Sequence, residues 1–392
     1  MQQTLTAKMQ IVPKPSDRQL LLDVMKAYSA ACTYVSDYVD KNHMPMNQFK
    51  IQDATYHTCR KTYGLPSQMA VSVTRTVVAS YKSIRTNQER HPKLFGKKKR
   101  HAGIKPEFRA PQLSLVWNRD YSLVWNADKT GKLFSVNTLK GRIKCAFYAD
   151  AMKWAFADGA RFGTAKLVFK HDKFFLHVPV TIEVPDAPDA SGHTRVVGVD
   201  RGIRFLAATY DGRKTTFYSG AQVKQKRAHY KQLRRRLQMR GTSSARRKLR
   251  TIGQRENRWM NDVNHCISKA LVCSNPEGTL FVLEDLAGIR GATERVRVKD
   301  RYTQVSWAYY DLEQKLAYKA KKYGSSMLSI NPAYTSQTCP ICGHVDKKSR
   351  NHEKHTFKCT ACGYTTNDDR IGAMNLQRMG IEYLLKAQVS GE

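Results

Sequence analysis

The chain has 392 residues, of which 41% are hydrophobic, enough to bury ordinary cores spread over about two to three domains. Lys and Arg number 67 against 32 Asp and Glu, a formal net charge of +35 that repels itself unless a polyanion neutralises it. Solubility alone needs only roughly 2 to 8 net charges on a small domain, so the excess marks a nucleic-acid partner and excludes a surface charged merely for solubility.

The N-terminal segment MQQTLTAKMQIVPKPSD lacks an apolar core, and no apolar run approaches the roughly 18 residues of a membrane span, so a cytoplasmic and, given the charge, nucleoid-associated protein is expected, without membrane partners. Within that segment QTLTAKMQIV alternates like a strand; Pro13 and Pro15 end it, and Ser16 and Asp17 offer a helix cap. Three helical patterns follow up to residue 95, separated by breaks carrying Pro and Gly. The basic segment HPKLFGKKKRHAGIKPEF breaks both periodicities and reads as a linker. LSLVWN, YSLVWN, LFSVNT, GRIKCAFY, TAKLVFKHD and KFFLHVPVTIEV then read as short strands of an antiparallel barrel or sandwich. The first strand is expected to join this set, which makes the helical module an insertion: residues 1–14 and 96–188 form the β-barrel, and 15–95 the insert.

The Pro- and Asp-rich stretch EVPDAPDASGHT places a domain boundary near residues 184 to 194. RVVGVD, FLAATYD and TTFYSG beyond it are three strands of an antiparallel meander. A long basic helical region follows, broken at Gly241, with Thr242, Ser243 and Ser244 available to cap its second half. Then come the buried-type strand LFVLED, a mixed loop ending near Asp300, a helix through WAYYDLEQKLAYKAKKYG, the strand MLSI, a cysteine-rich module and a last helix from about Asp369.

Val196 to Asp200 is continuously apolar up to its final residue, as in a central strand buried on both faces, and delivers Asp200 to a cleft at the strand end. Leu280 to Leu283 deliver Glu284 in the same way, with Asp285 on the opposite face because side chains alternate along a strand. Asp369 opens a helix whose small residues Gly372 and Ala373 can lie close against a sheet. Three carboxylates within about 5 Å repel one another unless cations neutralise them, and two Mg²⁺ ions about 3.5 to 4 Å apart would support phosphodiester hydrolysis. Taken singly, each acid is as well explained as a turn residue or a helix cap.

GVDRGIRFLAAT, VLEDLAGIR and the run from CPICG to CTACGYTTNDDRIGAMN resemble the three RuvC motifs and the zinc module of TnpB proteins, the RNA-guided nucleases of bacterial insertion sequences related to type V CRISPR effectors. The resemblance implies an α/β RNase H-like (RuvC) nuclease domain over 189–335 and 364–392, with an inserted zinc-binding module at 336–363. It also implies a wedge-like β-barrel carrying a helical recognition insertion. It makes Asp200, Glu284 and Asp369 the Mg²⁺-binding catalytic triad. The partners it implies are a transposon-end-derived guide RNA and target double-stranded DNA carrying a short adjacent motif. One departure is that Ile371 and Gly372 stand where the family commonly has Asn and Ala, which bears on how the last helix packs. A DNA-strand transposase is disfavoured because its acids normally run Asp, Asp, Glu. An RNA-guided regulator that does not cut, or a compact CRISPR effector, shares these features.

Of nine cysteines, Cys339 and Cys342 form one CxxC pair and Cys359 and Cys362 another, 16 residues on, each followed by Gly; two such knuckles supply four thiolates for one Zn²⁺. The odd total fits a reducing compartment rather than a disulfide framework. His344, His352 and His355 between the knuckles read as solvated or phosphate-facing. From Lys224 to Arg258 basic residues recur on nearly every turn with Glu256 almost the sole acid, so Arg234, Arg235, Arg236, Arg246, Arg247, Lys248 and Arg250 are expected to track phosphates. Lys97, Lys98, Lys99 and Arg100 form a second basic cluster. Trp117, Trp125 and Trp154 are expected to pack in the strand-rich core.

Overall fold

The computed structural model describes residues 1–90, 104–125, 131–286, 309–331, 333–351 and 353–390. The chain divides into two compact units, Gln2–Glu183 and Val184–Glu392 together with Met1.

In the first unit, β1 (Gln2–Val12) runs antiparallel to β8 (Lys173–Glu183) from Gln2↔Glu183 to Ile11↔Phe174, and its last residues pair with β5 (Gly141–Tyr148). The period of two in its sequence is visible in burial: Ala7, Met9 and Ile11 face the core while Lys8 is exposed. With β2 (Gln112–Leu115), β3 (Tyr121–Trp125), β4 (Lys132–Thr138), β6 (Arg161–Phe162) and β7 (Ala165–Lys170), the sheet has the order β2-β7-β8-β1-β5-β4-β3, and β6 pairs with β8. Among the described residues no strand ladder joins β2 and β3, which stand at the two ends of this path, so the expected barrel is not closed there. Three helices, α1 (Pro15–Lys41), α2 (Gln48–Lys61) and α3 (Ser67–Arg90), lie between β1 and β2 in the chain.

The expected cap at Ser16 or Asp17 is not formed. Lys14 is the extended residue before α1 and no side chain caps it; Pro15 takes the first helical position, which needs no N–H and suits its fixed φ. The cluster from Lys97 to Arg100 lies outside the described residues, as does the mixed loop near Asp300. Trp117 packs against Tyr121 and Phe162, with ring centroids 5.1 and 4.7 Å away, in agreement with a core role.

The second unit is built on a five-stranded sheet, β9 (Arg195–Asp200), β10 (Phe205–Tyr210), β11 (Thr215–Ser219), β12 (Thr279–Glu284) and β13 (Ser326–Ile330), in the order β11-β10-β9-β12-β13. β9, β10 and β11 form the expected antiparallel meander, whereas β12 runs parallel to β9 and β13 parallel to β12. Alternate residues of β12 feed two cores. Phe281 and Leu283 join Val197, Val199, Leu312 and Leu316 on one face, and Leu280 and Val282 join Leu376 and Leu384 on the other. This double burial is why the strand is apolar without interruption.

Helix α4 (Ala221–Arg240) ends at Gly241, whose φ of +63° is the left-handed conformation open to glycine; Thr242 then caps α5 (Ser243–Cys273) by accepting the Ala245 N–H at 3.2 Å. α6 (Tyr309–Lys322) packs on α5, and α7 (Asp368–Ser390) lies across β9 and β12. That approach requires glycine: a Cβ on Gly198 would stand 2.0 Å from the Ala373 carbonyl oxygen, and one on Gly380 would meet the side chains of Val282 and Val196 at 2.4 and 2.8 Å. Between β13 and α7, three short strands, β14 (Arg350–Asn351), β15 (Thr356–Lys358) and β16 (Thr365–Asn367), form a small antiparallel sheet, and β16 runs directly into α7. No described helix is long and apolar enough to cross a membrane.

Candidate functional site

Asp200 and Glu284 are the last residues of β9 and β12, neighbouring parallel strands whose register pairs Leu283 with Val199, so both acids leave the sheet at the same edge. Asp369 reaches that edge from the first turn of α7. A Cβ built on Gly372 would lie 2.8 Å from Asp200 Oδ2, and one on Gly202 would lie 3.9 Å from Asp369 Oδ1, which places the third acid over the turn that follows the first. Burial, then the Glu284 and Asp369 carboxylates, push the Asp200 carboxyl up from 3.8 to about 8. Asp369 is likewise raised, by burial and by its neighbour Asp368. Tyr309, at the start of α6, is pushed up to about 12 by burial and by the Asp200 charge. The structure therefore gathers the three acids. Among the described residues the four cysteines form the tight group of three or more potential metal donors.

The start of α7 separates the roles of three adjacent polar residues. Asn367 is the cap, its Oδ1 accepting the N–H groups of Asp369 at 3.0 Å and Arg370 at 3.3 Å. Asp368 turns inward, only 2% exposed, and accepts from Arg350 Nε at 3.2 Å. His355 Nδ1 lies 3.8 Å from its other oxygen, while the His355 side chain remains 42% exposed. His344 is exposed as expected, and His352 lies outside the described residues. Capping and ion pairing are thereby met by neighbours, and Asp369 is left for chemistry. Among the described residues its Oδ2 is buried with no hydrogen-bond partner, an oxygen that a cation would satisfy. The donor set of three carboxylates suits a hard oxygen-seeking cation such as Mg²⁺.

Four further residues support these acids and carry no motif of their own. Thr335, 3% exposed, donates its hydroxyl to Glu284 Oε1. Asn375, on the buried face of α7, donates to the carbonyls of Thr335 at 2.7 Å and Thr338 at 2.8 Å, tying the loop before the first cysteine to the helix. Arg350 brings a positive charge from β14 that lowers both Asp200 and Asp369 against the other influences. Arg201 turns its guanidinium into the core beside the site. The sequence signal for Arg201 and Arg350 is only the placement of an arginine next to an apolar strand or an acid-rich cap.

The cysteine module consists of two knuckles with the same backbone. Cys339 N–H donates to His344 O at 2.8 Å and Gly343 N–H to Cys339 O at 2.9 Å; Cys359 N–H donates to Tyr364 O at 2.9 Å and Gly363 N–H to Cys359 O at 3.0 Å. Both turns need glycine, with φ of +74° at Gly343 and +75° at Gly363. The four Sγ atoms lie within 4.8 Å of one another, with Cys339···Cys362 and Cys342···Cys359 both 3.6 Å apart. A tetrahedron with Zn–S of about 2.3 Å has sulfurs roughly 3.8 Å apart, so the donor set fits. The Cys362 N–H, 3.4 Å from Cys359 Sγ, is the leading cause that lowers that thiol to about 6, toward the thiolate that ligates metal. Phe357 and Ile371 are buried with Cys339 and Cys359, so the knuckles share a small core with α7.

On the basic helices, Arg235, Arg236, Arg246, Arg247, Lys248 and Arg250 are exposed. Arg234 differs: its guanidinium pairs with Glu256, which is 5% exposed, in the contact between α4 and α5. The expected phosphate role is corrected for this residue, because a buried carboxylate left unpaired would cost several kcal/mol. Leu237, Ala245 and Ile252 form a small core of their own between the two helices.

Two family models match the chain, one described as "Probable transposase" over residues 177–287 and the other as "Cas12f1-like, TNB domain" over residues 309–376. Among curated proteins, the CRISPR-associated endodeoxyribonuclease Cas12f1 of Syntrophomonas palmitatica is 32% identical over 143 residues, 36% of this chain and 27% of that protein. A TnpB-like protein of Methanocaldococcus jannaschii is 29% identical over 184 residues, 45% of this chain and 65% of that protein. The chain thus spans less than two thirds of either relative's length. A cryo-EM structure of a Cas12f1-sgRNA-target DNA complex aligns with a TM-score of 0.57 at 13% identity, over 92% of this chain and 81% of that one, a likeness of fold. The resemblance to TnpB proteins, read from the three acid motifs and the cysteine run, is borne out.

Proposed function

We propose that the chain is an RNA-guided DNA endonuclease that cuts at the single cluster of Asp200, Glu284 and Asp369. The observation that carries this reading is the convergence of two strand-end acids and a helix-start acid whose Oδ2 is buried without a partner among the described residues. The strand order β11-β10-β9-β12-β13, antiparallel through β9 and parallel beyond it, supports an RNase H-like (RuvC) core. The printed names of the relatives, an endodeoxyribonuclease and a TnpB-like protein, and the guide RNA and target DNA in the fold neighbour supply the substrate class.

Asp200, Glu284 and Asp369 would hold two Mg²⁺ ions. When bound, the pair supplies a water activated at neutral pH and neutralises the leaving oxygen of the phosphodiester. The protein's part is positional and electrostatic. Burial raises the Asp200 and Asp369 carboxyls so that proton release accompanies cation binding. Thr335 fixes the Glu284 rotamer, and Asn367 leaves Asp369 free by capping the helix in its place. Cys339, Cys342, Cys359 and Cys362 would hold one structural Zn²⁺, and β16 transmits that order to the start of α7. Exposed Arg235, Arg236, Arg246, Arg247, Lys248 and Arg250 would follow the phosphates of guide or target, while base pairing reads the sequence beside a short DNA motif. Such a protein works at the nucleoid.

The test is the Asp200→Ala variant loaded with the RNA that copurifies with it. Cutting should fall by at least about 10³ while guided target binding stays within about twofold. Undiminished cutting by the variant, or no cutting by the unchanged chain with its own RNA and Mg²⁺, overturns the reading.

A further inference from the structure

Arg201 follows the first acid directly, yet its side chain is 1% exposed. One guanidinium meets three acceptors on two elements. Nη1 donates to Glu313 Oε2 at 2.8 Å and to the Tyr309 carbonyl at 3.2 Å, both on α6, and Nη2 donates to the carbonyl of Glu284, the second acid. The ladder between β9 and β12 ends at the pair Leu283↔Val199, so Asp200 and Glu284 lie one residue beyond the last register contact. Past that point the Glu284 carbonyl is held by the arginine that adjoins Asp200. A buried arginine that made no functional connection would be a costly way to fill this space, since apolar residues of similar volume pack as well or better.

The same network continues away from the site. α6 is locked to α5 by Asn264 Nδ2 donating to Asp311 Oδ2 at 2.7 Å, and by Lys319 Nζ donating to His265 O at 2.6 Å and Ser268 Oγ at 2.8 Å. α5 also carries the exposed Arg246, Arg247, Lys248 and Arg250 near its start. Polar contacts, most of them partly buried, therefore link α5 to α6 and α6 to the backbone of the second acid.

We infer that Arg201 is a positioning residue that sets the spacing of Asp200 and Glu284 through its clamp on the Glu284 carbonyl, with Glu313 holding the clamp to α6. The inference rests on the nuclease reading above for its consequence, but its geometry can be tested without cutting. Arg201→Gln keeps part of the volume and removes the charged fork. Lys has one nitrogen in place of the planar fork whose two Nη atoms Arg201 uses, so Arg201→Lys should behave like Arg201→Gln rather than rescue it.

The experiment measures Mn²⁺ affinity by electron paramagnetic resonance, with amide exchange at residues 284–285 and 309–313, for Arg201→Gln, Arg201→Lys, Glu313→Gln and the double variant Arg201→Gln with Glu313→Gln. Arg201→Gln should weaken Mn²⁺ binding by about tenfold to a hundredfold, the usual scale for a residue behind the ligands, and speed exchange at both segments. Glu313→Gln should have a smaller effect of the same kind that disappears in the Arg201→Gln background, as contacting residues do. Unchanged Mn²⁺ affinity in Arg201→Gln, or fully additive effects, overturns the inference. Should Arg201→Gln not fold, Glu313→Gln carries the test: unchanged exchange at 284–285 in that variant overturns the inference, and faster exchange there supports it. If the variants lose Mn²⁺ as expected but the unchanged chain never cuts guided DNA, the nuclease reading fails and the clamp stands.

Discussion

The acid cluster and the cysteine cluster lie on either side of β16 and are assembled by opposite means. The carboxylates come from positions 200, 284 and 369 on two strands and a helix, whereas all four thiols fall between 339 and 362 on two knuckles of matching backbone. The thiols lie within 4.8 Å of one another, with Cys342 and Cys362 exposed, whereas burial and the neighbouring carboxylates raise Asp200 to about 8. A cluster of neighbouring residues can be ordered by its own metal. One whose members are distant in the chain must be held by a sheet that buries Phe281 and Leu283 on one face and Val282 on the other. Loss of metal should therefore unfold the first and merely loosen the second.

The largest effect should come from the acids. Asp369→Ala should abolish cutting, a loss of at least about 10³ in rate, with a melting temperature close to that of the unchanged chain. Asp368→Ala should do the reverse in kind, costing about 3 kcal/mol or more in stability by stranding the charge of Arg350, as denaturant melts would record. Equal losses of rate without loss of stability for both would erase the distinction drawn at the start of α7.

Next in size is Cys359→Ser. Metal content should drop from about one zinc per chain toward none, with residues 339–367 losing amide protection, and cutting should fall about a hundredfold because Asn367 then no longer presents α7. Protection in β9 and β12 should survive. Should those strands open as well, the two clusters are one cooperative unit.

Gly372→Ala should lower cation affinity about tenfold and cost about 1–3 kcal/mol, since the new Cβ would stand 2.8 Å from Asp200 Oδ2 with little room to yield. Titration calorimetry with Mg²⁺ checks the first figure and thermal melts the second.

A pH series sharpens the comparison. The folded chain keeps a proton on Asp200 up to about pH 8, while the unfolded chain loses it near 3.8, so its contribution to stability falls as pH rises through that window. In chelator, the melting temperature of the unchanged chain relative to Asp200→Asn should decline from about pH 5 to about pH 8. Mg²⁺ should stabilise more at the upper end, because it must displace the proton. A flat difference would place the acids in solvent.

The smallest changes are expected on the basic helices. Arg235→Ala or Arg247→Ala should each weaken nucleic-acid binding uniformly over sequences and reduce the salt slope by about 0.7 to 0.9. Arg234→Ala should act on stability instead, through Glu256.

Much of this was legible in the chain. The uninterrupted apolar runs before Asp200 and Glu284 announced strands covered on both faces, the CxxC spacing announced four gathered thiols, and the alternation in QTLTAKMQIV announced a strand that joins distant partners. Other features were not. Nothing local distinguishes Arg234 from Arg235, because the difference is a carboxylate on the next helix. The cap of α1 was misplaced by looking for a side-chain acceptor where Pro15 removes the need for one. The barrel followed from counting strands, while closure depends on whether the end strands meet.

The residue pattern by itself determined which elements form, which of their faces are apolar, and which side chains have the chemistry to hold a metal, because period, spacing and donor type act over a few residues. Tertiary structure alone decided that Asp369 rather than Asp368 reaches the pocket, that Gly372 makes room for Asp200, and that Arg201 is turned inward onto Glu284. Those outcomes depend on which groups packing brings together across some 170 positions of chain, and burial then sets the strength of every charge among them.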